Sequence, residues 1–173
     1  MNKAELKTFL AKMKKSELEE LILNINSKFH NVRDFIKDTV NPPIIDWEEL
    51  YDTCRDYVIE ASTSHKINRL GVPAAALNKF TYYGPEKDIA MDYMYDTFDI
   101  LVCGLLSRQY CDSFVYSFVG GYGNDCKKYM KKRKWLDDEV DARFKEIVAK
   151  YFKSGSDAYK YILFFADVQG IVL

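Results

Sequence analysis

Apolar residues recur with helical spacing along almost the whole chain. Leu6, Phe9, Leu10 and Met13 share one face behind Asn2 and Glu5, a start signal for a first helix. Ser16 with Glu19 reads as an S-x-x-E capping box ahead of an apolar run. Within that run Leu18, Ile22, Ile25, Phe29, Val32 and Ile36 alternate steps of four and three, an a/d seam that Leu21 and Phe35 widen. The seam predicts one helix of about five turns reaching Asp38, buried either inside the monomer or between two subunits. Asn41-Pro42-Pro43 stops it, because proline lacks the amide proton and restricts the residue before it.

A second long amphipathic helix carries Trp47, Leu50, Tyr51, Cys54, Tyr57, Val58 and Ala61, with Asp46 and Glu49 at its start. Ser and Thr in "ASTSH" weaken the pattern, and a further helical piece reaches Leu70 before Gly71. Pro73 opens the next helix from its first turn, and Gly84-Pro85 separates that helix from a strongly helical stretch over 86–106. Residues 107–119 read as helix, although Phe114, Val115, Phe118 and Val119 also fit a short strand. In "SFVGGYGND", Gly120 or Gly121 is expected to end one helix, and Asn124 or Asp125 to cap the next through the lysines. Asp137 caps a helix through Phe152, Ser154-Gly155 ends it, and Ser156 or Asp157 starts the last. The count is eight or nine helices with short connections: an all-α globular array and a single α-helical domain over 1–173, with Pro42-Pro43 a corner.

Composition agrees and narrows the function. Of the 173 residues, 48% are hydrophobic and 29% charged, enough for a core in a chain that stays soluble. The formal charge of −1 and the pI near 6.1 argue against a generic nucleic-acid binder. The first 15 residues lack the apolar block of a signal peptide, and no apolar run is long enough to span a bilayer. The expected setting is cytoplasmic, with Cys54, Cys103, Cys111 and Cys126 as reduced thiols.

Four groups of residues bear on chemistry. The glycines at 120, 121 and 123 do not match a phosphate loop, since no Gly-Lys-Ser/Thr follows. Asp88, Asp92, Asp96 and Asp99 fall within about 80° on one helix. They read as a solvated face, with a divalent-cation or acid/base site as the alternative. The cysteines form no C-x-x-C pair, and only His30 and His65 could serve one as a base. The run Lys127, Lys128, Lys131, Lys132, Arg133 and Lys134 precedes Asp137, Asp138, Glu139 and Asp141, an arrangement that suits two helix macrodipoles. An acidic or phosphate-bearing partner is its sharper use.

The stretches "ELKTFLAKMKKSELEELILNINSKFHNVRDF", Asn41-Pro42 and "INRLGVPAAALNKF" resemble a bacterial all-helical family catalogued as a domain of unknown function. The shared pattern is a short helix, a K-x-[SE]-x-L-E-E-x-I helix continued by Phe-x-x-Val, and a later L-G-V-x-P-like corner, over residues 1–95. Members of that family carry an Arg/Lys-rich stretch where this chain has "EASTSHK". The resemblance implies a helical fold and brings no activity or catalytic residue with it.

The sequence thus favours a non-catalytic interaction or adaptor protein without a cofactor, binding a protein partner or itself, with no membrane and no tight nucleic-acid contact. The alternative is an enzyme with a cation site on the aspartates, or a thiol site at Cys103, Cys111 or Cys126. The third reading is a weak nucleic-acid binder through 127–134.

Overall fold

The structure, a computed structural model, describes residues 2–40, 43–64, 71–108, 111 and 113–173. Among these residues lie nine α-helices and no strand, so the all-α expectation holds. The expected helical piece up to Leu70, His65, and Asn41-Pro42 lie outside the described residues. The chain falls into two compact units that part between Ile44 and Ile45, just past Pro43.

The first unit holds α1 (Lys3–Ala11), α2 (Lys15–Lys28) and α3 (His30–Val40). Asn2 caps α1 as expected: its Oδ1 accepts from the Ala4 and Glu5 amides at 3.0 and 2.9 Å, and Glu5 reaches back to the Asn2 amide at 2.9 Å. The start of α2 differs from the expected Ser16/Glu19 box. Glu17 accepts the Lys14 amide at 2.7 Å, so the helix opens at Lys15.

The predicted long helix is two helices. Phe29 is extended, with φ −124° and ψ 110°, and turns the chain between α2 and α3. The break frees carbonyls at the end of α2, and the Arg33 guanidinium takes two of them, Asn26 O and Ser27 O, at 3.3 Å each. Spacing alone could not show this, because one extended residue leaves the four–three rhythm intact.

The second unit holds α4 (Trp47–Thr63), α5 (Val72–Tyr82), α6 (Lys87–Gly104), α7 (Ser113–Arg133), α8 (Asp138–Ala149) and α9 (Asp157–Phe165). A short 3-10 turn over Leu105–Ser107 follows α6. Asp46, Asp137 and Ser156 cap α4, α8 and α9, and Pro73 sits in the first turn of α5. Helix α6 is the centre, packed by α4, α7 and α8, while α5 lies on α4 and α7, and α9 on α7 and α8. Its Tyr93, Met94, Phe98 and Val102 are fully buried. Phe80 of α5 stacks on Tyr93 at 4.0 Å, and Phe144 of α8 meets Phe98 edge-on at 4.7 Å. The buried Thr97 hydroxyl joins the Tyr122 hydroxyl at 2.6 Å, tying α6 to α7.

The glycine cluster is not a corner. Helix α7 runs unbroken from Ser113 through Gly120, Gly121, Gly123, Asn124 and Asp125 to Arg133, and the strand alternative for 113–119 falls away with it. Glycine is a poor helix former, so packing decides the matter. A Cβ on Gly120 would stand 2.5 Å from the Ile162 carbonyl oxygen and 2.6 Å from Phe165 Cβ. A Cβ on Gly123 would meet Phe98, Ala166 and Phe144 at 3.0–3.2 Å. The two glycines let the backbones of α7 and α9 approach closely. Gly121 faces away, with nothing within 4 Å of a Cβ there.

Candidate functional site

The aspartate stripe on α6 is divided by its neighbours. Asp88 and Asp92 are exposed, whereas Asp96 and Asp99 are half-buried. Arg55 of α4 meets Asp96 at 2.6 Å, and the Tyr51 hydroxyl donates to the same carboxylate at 3.3 Å. Lys150, at the end of α8, meets Asp99 at 3.0 Å, joined by the Tyr151 hydroxyl at 3.3 Å. Half of the expected solvated face therefore forms ion pairs that fasten α4 and α8 to α6. Sequence could not show this, because the partners lie 41 and 51 residues away. Exposed to this degree, each pair contributes about 0–1 kcal/mol.

Tyr51, Arg55, Asp92, Asp96, Asp99 and Lys150 line a cleft of about 520 Å³ between α4, α6 and α8. Four carboxylates (Asp52, Asp92, Asp96, Asp99) face three cations (Arg55, Arg143, Lys150) across it. Arg143 lies over the Tyr95 ring at 5.9 Å and meets Glu146 at 3.1 Å. Burial, then the Asp96 carboxylate, pushes the Tyr51 hydroxyl up to about 12. Burial, then Asp137, does the same to Tyr95, and burial, then Asp99, to Tyr151. All three phenols stay protonated at neutral pH, which disfavours them as bases, and Tyr51 and Tyr151 serve as donors to Asp96 and Asp99. Among the described residues no three His, Cys, Asp or Glu side chains gather as metal ligands. Saturating Mg²⁺, Ca²⁺ or Mn²⁺ is therefore expected to leave the melting temperature unchanged, since a bound ion would raise it. A rise of several degrees that disappears in Asp92→Asn would instead make the cleft a cation site.

The basic run divides as well. Lys127 points inward: its side chain is 6% exposed, and it meets Asp141, 13% exposed, at 2.6 Å. The Lys127 ammonium also donates to the Asp167 carbonyl, and the other Asp141 oxygen accepts the Gln169 amide at 2.9 Å. This buried pair joins α7, α8 and the segment after α9. Lys128 pairs on the surface with Asp125 at 3.1 Å, and Lys131, Lys132 and Lys134 are exposed. The Arg133 guanidinium lies over the Tyr129 and Trp135 rings at 5.4 and 5.7 Å.

The thiols are dispersed. Cys54 and Cys126 are buried, and burial pushes both above the ordinary thiol range, which disfavours the thiolate. Cys103 is exposed and Cys111 half-buried, its Sγ 3.5 Å from the Leu105 carbonyl.

The first unit presents a different surface. Neither α1 nor α2 holds a buried residue. Of the seam, Ile22 and Phe29 are exposed, and Leu18, Ile25, Val32 and Ile36 are half-buried. Of seventeen well-exposed large hydrophobic residues among those described, eight lie in the first 44. That is about twice their share of the chain. The first unit by itself therefore does not cover the seam fully.

No family model, curated protein or solved structure matches the chain. No helix among the described residues is long and apolar enough to cross a membrane.

Proposed function

We propose that the protein is a non-catalytic helical interaction protein whose first unit is the docking element and whose second unit is its stable body. The observation that carries this reading is the exposed seam. A sequence that keeps an a/d rhythm over six positions, yet covers none of them fully within its own unit, has a face suited to another helix. The second unit supports the reading from the other side. Its aspartate cleft is largely neutralised by its own ion pairs, its phenols stay protonated, and its two buried thiols are held as thiols. Two of the cations in the basic run, Lys127 and Arg133, are engaged within the fold, which favours a protein partner over nucleic acid.

The test compares two substitutions of the same kind. Ile22→Asp places a charge on the exposed seam and is expected to leave the far-UV spectrum and melting temperature of the full chain close to the parent's. Val58→Asp, in the fully buried core, is expected to cost several kcal/mol. Binding of an apolar dye to the dilute chain is expected to fall in Ile22→Asp. If Ile22→Asp melts as early as Val58→Asp, the seam is a folding core and the docking reading is wrong.

A further inference from the structure

Resting on that reading, we propose that the partner of α2 is a second copy of this chain, bound antiparallel across a two-fold axis near Ile22. The charges bordering the seam carry the inference. Leu18, Leu21, Ile22 and Ile25 form one apolar stripe on α2. Glu17 stands in the first turn and Lys28 in the last. They are eleven residues apart, so at 100° per residue they lie about 20° from each other, on the same flank of the stripe. In an antiparallel pair, equivalent flanks face each other. A copy centred between positions 22 and 23 therefore brings each Glu17 opposite the partner's Lys28, twice over.

The interface is self-complementary, as a two-fold contact requires. Lys28 has no acidic partner among the described residues, so its ammonium is available. The antiparallel arrangement also sets each helix's positive end beside the other's negative end. A lipid surface suits α2 less well, because Glu17, Glu19 and Glu20 cluster at one end of the helix and repel anionic headgroups.

The experiment is a charge swap in the full chain, read by sedimentation over a wide concentration range. The parent is expected to form a dimer and Ile22→Asp to remain monomeric. Glu17→Lys alone and Lys28→Glu alone each replace two attractions by two repulsions, and each is expected to weaken the dimer at least tenfold, an effect of about the size such flanking charges give. An equal mixture of the two variants restores both attractive borders and is expected to form a mixed dimer tighter than either variant alone. All these residues are exposed or half-buried, so the variants are expected to fold, and far-UV spectra check this. A parent that stays monomeric at every concentration overturns the inference. So does a dimer indifferent to both swaps, and so does binding to anionic vesicles in place of dimerisation. Each of these results leaves the exposed-seam reading standing if Ile22→Asp still melts like the parent and still loses the dye.

Discussion

Gly120→Val is expected to lower the stability of the second unit by about 3 kcal/mol, while Gly121→Ala, one residue along the same helix, raises it by about 0.5–1 kcal/mol. Both changes remove a glycine from a helix interior, and in propensity alone both help; alanine gains about 1 kcal/mol there. The difference lies in what the new Cβ meets. At Gly120 the obstacle is a backbone carbonyl oxygen at 2.5 Å, which has no rotamer through which to retreat. Helix α9 must therefore slide away from α7, loosening Ile162 and Leu163, both fully buried. Gly120→Ala should show a smaller loss of the same sign, about 1–2 kcal/mol, after its propensity gain is subtracted. Urea titration of the three variants checks the set. If Gly120→Ala and Gly121→Ala shift the midpoint alike, the close approach of α7 and α9 is not what holds this helix pair.

Lys127→Met is expected to cost about 3–5 kcal/mol, because it leaves the Asp141 carboxylate buried without its counter-charge. For a chain of this size, the lower end of that range lowers the melting temperature by roughly 6–12 °C. Lys131→Met and Lys132→Met, on exposed neighbours in the same run, are expected to stay within about 0.5 kcal/mol of the parent. The double change Lys127→Met with Asp141→Leu should recover most of the loss, since a buried ion pair exchanged whole for apolar groups is close to neutral. It also frees the Gln169 amide, so recovery is expected to be incomplete. A double variant no more stable than Lys127→Met would show that packing, and not the unpaired charge, sets the cost.

The parts of this molecule that follow from local rules were legible in the sequence. The helical period, the caps at Asn2, Asp46, Asp137 and Ser156, and the opening role of Pro73 need only neighbours within a turn. What the sequence hid depends on residues far away in the chain. Gly120 reads as a terminator until Ile162 and Phe165 are seen against it. Lys127 reads as one lysine among five, because its partner Asp141 sits in an acidic run that looks equally solvated. Asp96 and Asp99 read like Asp88 and Asp92, and only Arg55 and Lys150 divide them. The break at Phe29 escaped for a different reason: the apolar rhythm continues through it, so periodicity could not register the change of direction.

The contact between α7 and α9 also sets an order of events during synthesis. Helix α7 is complete at Arg133, but the surface of Gly120 and Gly123 is covered only once the residues through Ala166 have been added. At roughly 5–20 residues per second, that surface faces water for a few seconds on each new chain. The core of the second unit closes only when α9 has been made, whereas α2 has no buried residue that must wait for a later segment.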